Sequence, residues 1–323
     1  MRLLIIKTSS LGDVVHNLPV ISDIVARVPD VVIDWVVEES FAEIPHLHPR
    51  VRRVIPVALR RWRRGIFDPA TWRDFSRFRR ELQSETYDKI IDTQGLVKSA
   101  WLARLARGSS CGQDSNSARE ALAAFFYQQR FPVARSRHAI VRNRDLVAQA
   151  LGYPLPDGPP DYGIKAPKAK LSFSVPKKFV LGLHATSRDS KRWPVDHWIA
   201  FGQELHAQEI KLLLPWGSAE EEQHAGEIAH YLKNATVLPP LKLHELATLM
   251  GRALAVVGVD TGLVHLAAAL GRPTVAIYTD STPALTGVVA PKSGNVCNLG
   301  DVGRVPEPVA IKQALTGLGL LGT

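Results

Sequence analysis

One stretch, Leu254 to Tyr278 (LAVVGVDTGLVHLAAALGRPTVAIY), constrains the fold of this chain more than any other. Leu254–Val259 is a continuous apolar run rich in β-branched residues, the pattern of a strand buried on both faces. Asp260 reads as an N-cap, with Thr261, Gly262 and His265 in or near the first helical turn. Leu263, Leu266, Ala267 and Leu270 keep the i, i+3, i+4, i+7 stripe of a helix. Gly271 suits the C′ position, Pro273 blocks continuation, and an apolar strand follows to Tyr278. A helix N-terminus at the carboxyl end of a parallel strand presents free N–H groups and a positive dipole end, which favour an anion such as phosphate. Two readings stay open at this point: an ordinary βαβ unit with a capped helix, or an anion site. Capping needs only Asp260; the Thr-Gly pair and the in-register histidine exceed that need.

The same alternation runs through the chain. Leu3–Lys7 reads as a strand, followed by the turn Thr8–Asp13. A helical pattern then runs through Val14, Val15, Leu18, Ile21, Ile24 and Val25, which Pro19 should kink or shift. Strands are expected at Val31–Val37, Val51–Val57 and Lys89–Asp92. Helices are expected at Thr71–Leu82, Leu96–Ala106, Arg119–Arg130 and Ile140–Leu151. Pro154 to Pro176 holds six prolines and two glycines and reads as a linker. Beyond it come a strand at Phe179–Leu183, a helix at Val195–Gln208 and a strand at Ile210–Leu214. A turn at 215–218, a helix to about Lys233, a strand at Thr236–Leu238 and a helix at His244–Met250 lead into the opening stretch. Two α/β domains with parallel sheets follow, residues 1–158 and 177–323, joined by the Pro-rich 159–176. Ligands in such sheets bind outside the carboxyl ends of the strands.

At 323 residues each half can bury its own core. With 46% apolar and 22% charged residues the composition is that of a soluble globular protein. Two cysteines, Cys111 and Cys297, make no metal or redox motif and fit a reducing compartment. MRLLIIK is too short for a signal peptide's apolar region, and no run approaches the ~18 apolar residues of a membrane span. A cytoplasmic location is the expectation. The net charge of +9 is uneven: Arg50 to Arg80 holds eleven arginines against two aspartates. Such a cluster implies an anionic partner. Trp62, Phe67, Trp72, Phe75 and Phe78 interleave with it, which suits base stacking or insertion at a membrane interface.

The turns at the strand ends carry the remaining chemistry. Asp13 is the sole carboxylate of the first, either a helix-capping residue or a general base for an acceptor hydroxyl. His184-Ala185-Thr186-Ser187 followed by Lys191 suits a diphosphate, with a lysine point charge and hydroxyl donors. It equally fits a polar loop before Pro194. Glu221, three residues after Ser218, has capping-box spacing and could also accept from sugar hydroxyls. No G-x-G-x-x-G follows a strand, which disfavours a dinucleotide-binding dehydrogenase, and there is no P-loop. No D-x-D pair or zinc-like histidine spacing occurs, so a leaving diphosphate would rely on Lys191 and helix N-termini.

Together, KTSSLGDVVHNLP, RRWRR, DTQGLVKSA, HATSRDSKRWP, LPWGSAEEE and GVDTGLVHLAAALGRP, in that order over nearly the whole chain, resemble the ADP-heptose:lipopolysaccharide heptosyltransferases, glycosyltransferase family 9, nearest the heptosyltransferase I branch. The resemblance implies a GT-B fold, two Rossmann-like domains facing across a cleft, in which the last helix can pack back on the N-terminal domain. It implies inverting, metal-independent transfer of L-glycero-D-manno-heptose from ADP-heptose to the Kdo of Kdo2-lipid A. The enzyme would be peripheral at the cytoplasmic face of the inner membrane of a Gram-negative bacterium, an anionic surface. By similarity Asp13 is the base. Thr186, Ser187, Lys191, Glu221, Leu241, Asp260, Thr261, Gly262 and His265 fall on the donor site. Arg60, Arg61, Arg63, Arg64, Lys98 and Arg119 fall on the acceptor surface. ADP-heptose is a co-substrate and no cofactor or nucleic-acid partner is implied. Ser187 replaces the usual second threonine, Leu241 stands where a methionine is common, and Tyr278-Thr279-Asp280 lacks the glycine usual after that tyrosine. The rivals are heptosyltransferase II and, in another class, a non-enzymatic anion- or nucleic-acid-binding protein using Arg50–Arg80.

Overall fold

Each half of the chain builds a six-stranded, all-parallel sheet around apolar strands. The structure is a computed structural model that describes residues 1–186, 188–292 and 294–321. Contacts divide the chain into two units, at Gly163 and Ile164. The first sheet comprises β1 (Arg2–Ile6), β2 (Val32–Glu38), β3 (Val51–Val57), β4 (Thr86–Asp92), β5 (Arg107–Gln113) and β6 (Gln129–Phe131). The second comprises β7 (Phe179–Leu183), β8 (Lys211–Leu214), β9 (Ala235–Val237), β10 (Ala255–Val259), β11 (Thr274–Tyr278) and β12 (Val296–Gly300). The orders are β3-β2-β1-β4-β5-β6 and β12-β11-β10-β7-β8-β9. Both are the doubly wound order, which reverses direction at β1/β4 and at β7/β10. The GT-B class of two Rossmann-like α/β sheets read from the sequence is what the chain contains.

The central strands are the most apolar because helices cover both faces. Leu3 to Ile6 of β1 and Ala255, Val256, Val257 and Val259 of β10 are fully buried. In the second unit Trp193, Trp198 and Phe201 fill the core beneath the sheet. At Gly258 an added Cβ would lie 2.6 Å from the Leu183 Cβ and 2.7 Å from Val264, so only glycine lets β10 approach β7 and the following helix.

Two local expectations meet the structure directly. The helical pattern after Asp13 breaks into Leu11–Val15 and Leu18–Arg27, with Pro19 in the first turn of the second helix, as its missing N–H requires. Gly271 takes φ +72° after helix Gly262–Ala269. The Gly271 N–H bonds the Ala268 carbonyl and the Arg272 N–H the Ala267 carbonyl, a Schellman ending.

Two others are corrected. No helix spans 119–130. A 3₁₀ turn, Ala121–Phe126, lies there, flanked by β5 and β6. β5 reads RGSSCGQ, with no apolar run to announce it; it is a strand because its backbone pairs with β4 and β6. Asp260 does not cap its helix: Thr261 holds the N-cap position, and the Asp260 carboxylate turns to Lys191 and Ser281. Residues 153–178 form no helix or strand. The last helix, Pro308–Gly317, packs within the second unit on helix Val195–Ala207 and on β11 and β12.

Candidate functional site

In the second unit the switch point lies between the carboxyl ends of β7 and β10. A pocket of about 330 Å³ opens there. Thr186, Glu221, Leu241 and Thr261, all expected from the sequence, line it together with Trp216, Leu243, Leu246 and Leu263. Its lining combines apolar side chains, which suit an aromatic base, with the Thr186 and Thr261 hydroxyls and the Glu221 carboxylate. Trp216 was not singled out by sequence reasoning. Its Nε1 donates to the Leu238 carbonyl at 2.6 Å, which fixes the indole as part of the wall. Its signal was its place in the turn after β8.

Beside this pocket lies a charged knot. The Lys191 ammonium donates to the Asp260 carboxylate. Ser281 Oγ donates to the same oxygen at 2.6 Å, and Thr186 Oγ1 donates to the Asp260 carbonyl at 3.1 Å. Burial works to raise the Asp260 carboxyl, but Lys191 and Ser281 hold it below the usual carboxylate range. His265 is buried, and its electrostatic effect on Asp260 acts in the same direction. The Thr261 side chain makes no cap bond, so the first N–H groups of helix Gly262–Ala269 have no side-chain acceptor from their own cap. Lysine, hydroxyls and helix N-terminus therefore converge where a diphosphate would sit.

The loop after β11 is tied to the turn that carries Lys191. Thr279 Oγ1 donates to the Ser190 carbonyl at 2.7 Å, and Ser190 Oγ donates to Asp280 at 2.7 Å. Asp280 also lies 3.7 Å from Arg188. The Thr279 and Asp280 side chains thus brace the turn that carries Lys191, and Ser281 holds its partner Asp260. Sequence reasoning missed Asp280 and Ser281 as partners because they lie far from that turn in the chain.

Glu221 is only partly a capping residue. Its N–H donates to Ser218 Oγ at 3.3 Å, while its Oε2 accepts from the Gly217 N–H at 2.6 Å. The other oxygen is left for a ligand. Ser187 lies outside the described residues.

At the β1/β4 switch point Asp13 sits half-buried in the first turn of helix Leu11–Val15. One carboxylate oxygen, Oδ2, accepts from the Ser10 N–H at 2.9 Å and from Ser10 Oγ at 3.0 Å. That leaves Oδ1 for another partner. Lys7, at the end of β1, is buried and donates to the Thr93 carbonyl at 2.6 Å. Burial pulls its ammonium below the usual lysine value, against the pull of Asp13 and Asp92. Burial likewise disfavours the Arg142 cation; Arg135 and Arg119 add to this and Asp13 opposes it. Among the described residues Arg142 Nε has no hydrogen-bond partner. Several cations thus gather near one free carboxylate oxygen, a surplus that an anionic ligand would relieve. Lys7, Arg135 and Arg142 were missed in the sequence, where nothing local shows that folding brings them toward Asp13.

The DTQG turn behind this site is pinned by buried Asp92, which accepts from Ser99 Oγ and Tyr127 Oη, each at 2.7 Å, and from the Gln94 N–H at 2.8 Å. Gln94 Oε1 in turn accepts from the Thr8 and Ser9 N–H groups.

The expected acceptor residues divide into two sets. Arg119 stands on the stretch after β5 and Lys98 in the first turn of helix Val97–Leu105 after β4, and both act electrostatically on groups at this sheet end. Arg60 joins them through its N–H, which donates to Glu38 at the end of β2 at 3.1 Å. Arg61 is committed elsewhere: it pairs with Glu39 at 3.1 Å and Asp74 at 2.7 Å. Arg63 and Arg64 are exposed and make no ion pair among the described residues. Among the described residues no group of three or more His, Cys, Asp and Glu side chains could hold a metal ion.

The pattern of glycosyltransferase family 9 (heptosyltransferase) matches residues 75–310. The chain belongs to glycosyltransferase family 9. Among characterised members of the family, it is 46% identical to lipopolysaccharide heptosyltransferase 1 of Pseudomonas aeruginosa, over 89% of this chain and 81% of that protein. It is 44% identical to lipopolysaccharide heptosyltransferase 1 of Escherichia coli K12, over 89% and 90%. The solved structure of E. coli heptosyltransferase WaaC with ADP superposes on this family 9 chain with a TM-score of 0.89, at 41% identity, covering 98% of this chain and 99% of the other. The transferase reading of the motifs is thereby shown, and the binding-protein alternative falls away.

Proposed function

We propose that the chain transfers L-glycero-D-manno-heptose from ADP-heptose to the Kdo of Kdo2-lipid A, as the first heptosyltransferase of the lipopolysaccharide inner core. The observation that carries this reading is the β7/β10 pocket, where an apolar slot for a base adjoins Lys191, Thr186 and an uncapped helix N-terminus for a diphosphate. The relatives named above, at 44–46% identity, are themselves first heptosyltransferases.

The mechanism is direct displacement. Asp13 takes the proton of a Kdo hydroxyl through its unengaged oxygen. The hydroxyl oxygen attacks the anomeric carbon of the heptose as the bond to the diphosphate oxygen breaks, which inverts that centre. ADP leaves with its charge held by Lys191, Thr186 and the helix N-terminus, without a metal ion. Glu221 accepts from heptose hydroxyls. Asp13 and the donor pocket belong to separate units. Lys98, Arg119 and Arg60 meet the carboxylates and phosphates of the acceptor. The setting is the cytoplasmic face of the inner membrane, with the enzyme attached peripherally.

The test is transfer from ADP-heptose to defined acceptors after treatment with a chelator. Product from Kdo2-lipid A, none from its already heptosylated form, and an inverted anomeric centre are the expected results. Turnover only on the heptosylated acceptor would assign the second enzyme of the series instead.

A further inference from the structure

The described residues carry an amphipathic surface outside both switch points. Helix Leu59–Arg64 and helix Pro69–Leu82 meet at a corner whose connecting residues include Ile66 and Phe67. Phe67 is 95% exposed and Trp72 55% exposed. Leaving a phenylalanine almost fully in water is unfavourable, so such exposure marks a surface that meets something apolar. Behind it lies a groove walled by Leu59, Trp62, Ile66, Trp72, Phe75 and Trp101. Its rings are mutually engaged: Phe75 stacks on Trp101 with centroids 5.7 Å apart and meets Trp62 edge-on at 5.6 Å. Trp101 stands on helix Val97–Leu105, which packs against the 3₁₀ turn that exposes Leu122 and Phe125. The exposed apolar groups thus run over three neighbouring elements.

Beside the apolar groove is a second hollow, lined by Trp72, Arg73, Ser76, Arg77 and Arg80. Arg63 lines the groove itself, and both Arg63 and Arg64 are exposed and make no ion pair among the described residues. Aromatic and aliphatic side chains at the tip with guanidinium groups at the rim are the chemistry of an interfacial membrane contact. A nucleic acid fits less well. The inner rings already pack on one another, and an almost wholly apolar groove leaves base edges without partners.

We infer that the corner at Ile66–Trp72 inserts into an anionic phospholipid bilayer, with Phe67 and Trp72 at the acyl boundary and Arg63, Arg64, Arg73, Arg77 and Arg80 on lipid phosphates. The inference rests on the peripheral-membrane part of the proposed function and names the surface that performs it. It places the acceptor arginines of the same helix at headgroup level, where a lipid-anchored substrate presents its phosphates.

The experiment is sedimentation of the full chain with vesicles, without nucleotide or acceptor. Vesicles are phosphatidylcholine alone or phosphatidylcholine mixed with phosphatidylglycerol. The expected result is at least tenfold stronger binding to the anionic vesicles, weakened by salt. Phe67→Ser lowers that binding about tenfold with an unchanged thermal midpoint, and Phe67→Trp restores it. The combined change Arg73→Gln, Arg77→Gln and Arg80→Gln lowers it roughly a hundredfold, since each basic group near an anionic leaflet contributes roughly fivefold. Binding by Phe67→Ser equal to wild type overturns the surface while leaving membrane attachment standing. No binding to either kind of vesicle overturns both, and equal binding to the two overturns the arginine contacts to lipid phosphates. Phe67-dependent capture of a single-stranded oligonucleotide, with no vesicle binding, would hand the corner to nucleic acid. Heptose transfer is read by the separate acceptor assay and is indifferent to all of these outcomes.

Discussion

At the β7/β10 switch point the charges are matched before any ligand arrives: Lys191 and Ser281 share the Asp260 carboxylate. At the β1/β4 switch point they are not. Lys7, Arg119, Arg135 and Arg142 crowd toward Asp13, and burial disfavours the Lys7 and Arg142 cations. One strand order therefore supports two different kinds of site. The matched site adjoins an apolar pocket and suits a ligand that brings both a flat base and a diphosphate. The unmatched site suits a strongly anionic ligand, whose charge supplies what the protein withholds.

The comparison can be broken most severely at Asp13. Asp13→Ala is expected to lower kcat by about a hundred- to ten-thousandfold, the range of a general base, while ADP affinity measured by calorimetry stays at the wild-type value. A loss of ADP affinity in that variant would merge the two sites and sink the division of labour.

The reciprocal change is Lys191→Met. It removes a charge-assisted partner of both Asp260 and the leaving diphosphate, so the Kd for ADP should rise about ten- to a hundredfold. Binding of the acceptor to the first unit should not change. If ADP binds the variant normally, the diphosphate is held elsewhere.

The stability of the second unit carries its own pH signature. His184 is fully buried at the end of β7, its Nε2 donating to the Pro215 carbonyl at 3.1 Å and its ring 5.1 Å from that of His224. Burial, with His224 adding to it, pushes the His184 imidazole down to about 4. The folded chain keeps it neutral while the unfolded chain protonates it near the ordinary histidine value, so the unfolded state binds more protons between pH 6.5 and about 4. Stability should fall as pH drops through that window, by about 3 kcal/mol for this group. Urea midpoints across the window should show the fall, and His184→Gln, which keeps a donor for Pro215, should flatten it. His48 in the first unit is also held near 4 by burial, so part of the slope should survive in that variant.

The smallest expected effect is at the apolar wall. Trp216→Ala should weaken ADP binding by roughly tenfold or less, the contribution of one aromatic face, with kcat at saturating donor unchanged. A fall in kcat instead would move Trp216 from holding the base to positioning the sugar.

Much of the fold was legible in the sequence because its signals are local. Leu254–Val259 and Leu3–Lys7 announce central strands by continuous apolar runs, and Gly271 with Pro273 announces a helix end. β5 was not legible, since RGSSCGQ becomes a strand through its neighbours' backbones and not through its own side chains. Of the candidate site, the residue types at the strand ends were readable, but their pairing was not. The Asp260 carboxylate looked like a cap because an aspartate beside a helix start usually is one. Its true partners come from 69 residues upstream and 21 downstream.

The sequence by itself determined the two α/β halves, the strand-end turns that carry chemistry, and the family. Periodicity and short motifs act over a few residues, so they survive in one dimension. Only the tertiary structure decided which cations are spent. Arg52 and Arg53 serve Asp34 and Arg61 serves Glu39 and Asp74, whereas Arg63 and Arg64 stay open to solvent. A charge has a partner or lacks one according to what folding brings within about 4 Å of it, and that distance is set by strand order and packing.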